Sequence, residues 1–147
     1  MTDMTETYLV PPTPVPDPLT EAYWRGACDG HLVIQRCSHC SIYQHPPTSR
    51  CFLCSSEELD FEAVSGMGRI HSFTITHDAR TPAFMARQPY AVVWIELEEQ
   101  TELYVIANMP ETPIDEVQIG RRAEVYFDNI ANSVWLPQFR LAGPVEG

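Results

Sequence analysis

Lysine is missing altogether: the nine basic residues are all arginines, set against 20 Asp and Glu for a net charge of −11. That absence excludes P-loop phosphate binding through a lysine, Schiff-base formation and every other mechanism that needs an ammonium group. Long apolar runs are missing as well. The most hydrophobic stretch, Ala91 to Leu97, is interrupted by Glu96 and is far shorter than the roughly 20 residues that span a bilayer. The opening MTDMTETYLV has acids where a secretory signal carries a basic region, and it has no apolar segment to follow. A cytoplasmic protein without a membrane segment is expected.

Basic charge is also absent from two whole segments. Residues 1–24 hold four acids and no base, and residues 88–120 hold seven acids and no base. A protein that grips a nucleic-acid backbone needs a stripe of cations to displace counterions, so this distribution disfavours such a partner. A chain of 147 residues suits one domain or two small ones.

Proline, by contrast, is plentiful at the front. Pro11, Pro12, Pro14, Pro16 and Pro18 fall at near-alternate positions, which favours an extended polyproline arm over residues 1–17 and cannot build a core. Tyr8 and Leu9 place apolar side chains beside that stiff arm. It reads either as a solvated tail or as an arm that docks on a partner. Asp17 and Pro18 then resemble an N-cap and a first helical position, predicting a helix over residues 18–30 that ends near Gly30. On it Leu19, Tyr23 and Trp24 share part of one face, available to the core or to an interface.

Beyond Leu32 the pattern is that of strands. LVIQR and ELDFEAV flank the cysteines, and RIHSFTITH, YAVVWIEL, ELYVIAN, AEVYF and SVWLPQF follow. Each is short, rich in β-branched and aromatic residues and bounded by Gly, Pro, Asn or acids. Five such runs after residue 65 predict a small antiparallel barrel, with EEQTE as a hairpin connection. In RIHSFTITH, simple alternation puts Arg69, His71, Phe73, Ile75 and His77 on one face. The break DARTPAFMARQP sets Phe84 and Met85 between Arg80 and Arg87. A connection of that length in a small domain suits a ligand- or partner-facing loop, or one that plugs the barrel mouth with Phe84.

The strongest signal is CSHC followed ten residues later by CFLC. Each C-x-x-C pair presents two thiolates from a tight knuckle, and the loop between lets Cys37, Cys40, Cys51 and Cys54 surround one zinc ion. Four thiolates leave no open coordination position, so the metal is expected to be structural. His31, His39 and His45 lie nearby and are read as surface or neighbouring residues instead of ligands. Cys28 has no paired base to make it a nucleophile and reads as a small buried packing residue.

Taken together, the proline-rich lead, GxLxxQRCxxC, HPPxxxCxxC, SGxGxIHSFTxTH, PYxVxxIELEE, IGxxxxVYF and LPxF resemble the acyl-CoA-associated zinc-ribbon plus OB-fold family first catalogued as domain of unknown function thirty-five. The resemblance runs from about Pro14 to Phe139. Ser41 and Ser55 stand where the family often has glycine after its knuckles, and EEQTE lacks the usual hairpin glycine. The implied fold is mainly β: an N-terminal helix (18–30), a rubredoxin-like zinc ribbon (31–62) and a C-terminal five-stranded OB-fold barrel (63–147).

The resemblance further implies a non-catalytic subunit of a thiolase-like acyl-CoA enzyme, assembled as a heterotetramer and shaping or covering an acyl-CoA site. It implies structural zinc, and a coenzyme A thioester shared with the partner. Arg69, Phe73, Arg80 and Arg87 are the candidate coenzyme contacts. Tyr8, Leu9, Trp24, Phe84 and Met85 are the candidate partner contacts. No catalytic residue is expected, because the nucleophile, base and oxyanion hole of a thiolase cannot be assembled from this chain. The alternatives are a single-stranded nucleic-acid module, since OB folds and zinc ribbons serve that role elsewhere, and an independent acyl-CoA-binding protein.

Overall fold

The computed structural model describes residues 12–143; Tyr8 and Leu9 lie outside the described residues. Asp17 does cap a turn, its Oδ1 accepting from the N–H groups of Leu19 and Thr20 at 2.9 Å. The turn it closes precedes the helix, however, and α1 runs over Glu21–Cys28 with Thr20 at its N-cap. The helix is therefore shorter than the expected 18–30. It packs through its small residues: Gly26 and Ala27 are buried, and a Cβ on Gly26 would fall 2.9 Å from Val33 Cγ2. Cys28, expected to be buried, is exposed. It sits on the solvent side of the last turn, with its thiol 3.5 Å from the Ser133 carbonyl.

Two antiparallel sheets follow. The first has the order β2-β1-β3, from β1 (Val33–Cys37), β2 (Tyr43–Gln44) and β3 (Leu59–Ala63). The second is built from β4 (Met67–Thr76), β5 (Tyr90–Leu97), β6 (Tyr104–Asn108), β7 (Arg122–Ala131) and β8 (Val134–Leu141). Its order is β6-β5-β4-β7-β8. A four-residue helix, α2 (Pro82–Met85), lies in the β4–β5 connection, and a 3₁₀ turn (Ile114–Glu116) lies between β6 and β7. The curled sheet closes where β6 meets β8, with the Asn108 N–H donating to Gln138 Oε1 at 2.9 Å.

One core serves both sheets. Ile70, Val93, Ile95, Val105 and Phe139 from the barrel pack in the same cluster as Leu32 and Ile34 from the ribbon side. Burying an aliphatic side chain stabilises by roughly 2 kcal/mol, so those two residues help to fix the small sheet to the large one. Gln100, in the β5–β6 hairpin, adds a polar clasp. Its Oε1 accepts from the Tyr43 N–H and its Nε2 donates to the Tyr43 carbonyl, both at 2.9 Å. A side-chain amide thus imitates a neighbouring strand.

The expected alternation along β4 is broken. The register with β5 shifts between Ile70 and Ser72, and this bulge inserts a residue and reverses which side chains face inward. Arg69 and His71 point to solvent, whereas Phe73 and Ile75 pack against the core. The five residues predicted to share a face are therefore divided. Just before the bulge, β5 crosses Gly68 so closely that a Cβ there would fall 2.3 Å from the Glu96 carbonyl oxygen and 2.7 Å from Ile95 Cγ2. Gly68→Ala should therefore force two central strands apart and lower stability by about 2 kcal/mol. Chemical denaturation checks this; an unchanged midpoint would mean the strands are not so tightly apposed.

Candidate metal centre and the barrel mouth

The two knuckles repeat one local design. Cys37 N–H donates to the Ile42 carbonyl and Ser41 N–H to the Cys37 carbonyl; Cys51 N–H donates to Ser56 and Ser55 N–H to Cys51, all at 2.9 Å. The four cysteine sulfurs lie within 4.8 Å of one another. Cys37 Sγ is 3.6 Å from Cys54 Sγ, and Cys40 Sγ is 3.5 Å from Cys51 Sγ. A tetrahedron with Zn–S of about 2.3 Å has edges of about 3.8 Å, whereas a disulfide needs about 2.0 Å. The spacing fits a four-thiolate zinc site. The Cys40 N–H, at 3.4 Å from Cys37 Sγ, is the main cause that holds the Cys37 thiol down to about 6. The Cys54 N–H likewise holds Cys51 below its ordinary value. Both effects favour the thiolate at Cys37 and Cys51, whereas burial and the neighbouring sulfurs push Cys40 and Cys54 up. Of the three nearby histidines, His31 and His39 are exposed and none belongs to the metal cluster.

Tight knuckles require a backbone turn that L-residues resist. Ser41 has φ 69° and Ser55 φ 64°, the left-handed region that only glycine enters freely. Ser41→Gly and Ser55→Gly should each raise stability by about 0.5–1 kcal/mol, and valine at either position should lower it. Denaturant titration of the zinc-loaded protein reads the difference; a stabilised valine variant would contradict it.

The support behind the second knuckle was not visible in the spacing. Gln35 and Gln44 are buried and hydrogen-bonded to each other, Gln44 Nε2 donating to Gln35 Oε1 at 2.7 Å. Gln35 also accepts from the Thr48 N–H, and Gln44 Oε1 accepts from the Phe52 N–H at 3.1 Å. The pair thereby fixes the loop that carries Cys51. The only sequence signal was a glutamine two residues before the first cysteine.

At the other end of the barrel, the loop after β4 is closed by Gln88 Oε1 accepting from the Ala79 N–H at 2.8 Å. Phe84 turns inward, its ring 5.7 Å from that of Tyr90, while Met85 is 50% exposed. Phe84, Arg87, Tyr90, Asn108, Asp128 and Gln138 line a cleft of about 410 Å³. Among the expected coenzyme contacts, Arg87 is in this cleft and Arg80 is exposed beside Asp78 at 3.6 Å. Arg69 is not among the residues of that cleft: it donates to the Gly120 carbonyl at 2.9 Å and lines a separate depression with Glu96 and Arg122. Phe73 packs against the core. Trp24 meets Tyr23 edge to face at 4.9 Å and lines a separate groove with Pro14, Pro16 and Trp135.

Paired cysteine knuckles on a small sheet, sharing a core with a five-stranded curled sheet, define a zinc-ribbon plus OB-fold protein. Residues 24–60 match the family described as ChsH2, rubredoxin-like zinc ribbon domain, and residues 61–128 match ChsH2, C-terminal OB-fold domain. The chain belongs to this ChsH2 (DUF35) family. A solved chain described as Ltp2-ChsH2(DUF35) aldolase is 30% identical, with a TM-score of 0.78 over 87% of this chain and 98% of that one. A DUF35 protein of unknown function from Sulfolobus solfataricus, 17% identical, shares the fold with a TM-score of 0.60 over 85% of this chain and 86% of its own. A probable enoyl-CoA hydratase alpha subunit from Thermomonospora curvata is 34% identical over 85% of this chain. This chain spans 38% of that relative's length. Among the described residues, no helix is long and apolar enough to cross a membrane.

Proposed function

We propose that this chain is the non-catalytic subunit of a cytoplasmic thiolase-like acyl-CoA enzyme, with residues 31–62 as a zinc-held support and residues 63–147 as the part that meets the substrate path. The observation that carries this reading is the near-complete likeness, 98% of its length, to the chain described as Ltp2-ChsH2(DUF35) aldolase. The side-chain chemistry agrees with it. Every cysteine of the ribbon is committed to the metal cluster, and a four-thiolate zinc supplies stability without an open position for substrate. This reading assigns the bond-changing groups to another polypeptide.

The barrel mouth is the part of this chain assigned to the acyl-CoA. Arg87 and Arg80 can make charge-assisted hydrogen bonds to phosphate oxygens. Phe84 and Tyr90 offer an apolar wall to the chain of the thioester, and Met85 offers contact to the partner. Arg69 and Phe73 are assigned to the barrel itself. A second reading places the chain beside an enoyl-CoA hydratase module, and the Thermomonospora relative's name favours it.

Co-expression with a thiolase-like chain, followed by size exclusion with mass measurement, tests the first reading. A complex with two copies of each chain is expected. If this chain elutes alone while the catalytic chain works at full rate without it, the reading fails; selective association with a hydratase module would favour the second.

A further inference from the structure

Strand β6 stands at the end of the barrel sheet. The Leu97 N–H donates to the Leu103 carbonyl, so odd-numbered residues of β6 turn their backbone groups toward β5. Tyr104, Ile106 and Asn108, opposite Glu96, Trp94 and Val92, turn theirs away. The Asn108 N–H is taken by Gln138 where the barrel closes. Among the described residues no strand pairs with the outward N–H and C=O groups of Tyr104 and Ile106.

Beside this edge lies an exposed shelf. The Tyr104 ring is 4.7 Å from His71 and 6.1 Å from Trp94; Trp94 is 44% and Ile106 59% exposed. One end of the shelf is acidic, where the Glu102 N–H donates to Glu96 Oε2 at 2.9 Å. Open edges in soluble proteins are normally protected by lysine, proline or a bulge, and YVIAN contains none of these.

We infer that β6 accepts an extended segment of the catalytic partner, paired to Tyr104 and Ile106, with an apolar residue over Trp94 and Ile106 and an arginine or lysine against Glu96 and Glu102. This rests on the reading that such a partner exists. Main-chain hydrogen bonds would supply affinity and the flanking side chains specificity. A second copy of this chain is the poorer occupant. Residues 88–120, which include β6, hold no arginine or lysine to meet Glu96 and Glu102, and each copy carries a net charge of −11.

Amide hydrogen exchange on the full chain, alone and in complex with the thiolase-like subunit, tests the inference. Exchange at Tyr104 and Ile106 should slow at least tenfold in the complex. Ile106→Pro removes an N–H that the β5–β6 ladder does not use, and it should weaken association at least tenfold. Glu96→Gln with Glu102→Gln should reduce the salt dependence of binding. A complex that forms with both amides still exchanging freely overturns the inference and leaves the proposed function standing. Equal protection in the chain alone at high concentration would identify a second copy as occupant and overturn it too. Failure to form any complex would remove the proposed function and the inference together.

Discussion

Cys51→Ala should release the zinc and unfold the ribbon. The ribbon's strands span only residues 33 to 63, one of them two residues long, and its main apolar anchors are committed to the barrel's core. A segment of that size rarely folds on a hydrophobic core of its own. The metal's binding free energy, on the order of 10 kcal/mol, is therefore the ribbon's folding free energy. Elemental analysis should fall from one zinc per chain to nearly none, and the variant should melt at a far lower temperature with Leu32 and Ile34 no longer covering the barrel. A chelator acting on the unaltered chain should have the same effect. A variant that keeps its fold without metal would show that the ribbon is held by something other than the sulfurs.

The second large effect is a dependence of stability on acid. His45 lies against Tyr23, with the ring centroids 5.1 Å apart, and burial pushes its pKa down from 6.5 to about 4. Between those values the unfolded chain binds a proton that the folded chain refuses. Stability is therefore fully present above about pH 6.5 and falls as the pH drops toward 4, by about 3 kcal/mol in all. Zinc thiolates also protonate in acid, so the comparison must be with His45→Gln, which keeps the cysteines and loses the titration. Denaturation of both proteins at pH 7 and pH 4 should show the unaltered chain losing about 3 kcal/mol more than the variant. Parallel losses would mean that the imidazole is better solvated than its contact with Tyr23 implies.

The metal centre was legible in full, because C-x-x-C spacing constrains local geometry and a ten-residue loop lets two knuckles meet. The β5 run YAVVWIEL was equally legible, since both its ends are marked by turns and its alternation is unbroken. The β4 face was not. Period-two reasoning assumes continuous pairing, and the bulge at His71 comes from how β4 bends around the barrel, a tertiary cause. Gln35, Gln44 and Gln100 escaped for a related reason: a glutamine's partners are set by distant backbone, and nothing beside it in the chain names them. Cys28 was misjudged because small apolar residues are usually buried, whereas Gly26 and Ala27 already fill the close approach of α1. The Ser41 and Ser55 turns were visible only through the family's preference for glycine there.

Thioester turnover measured for this chain alone, for the catalytic chain alone and for the two combined tests the division of labour most directly. The isolated zinc-loaded chain should show none, and the mixture should exceed the catalytic chain by itself. Turnover by the isolated chain, persisting through repeated purification, would contradict the account.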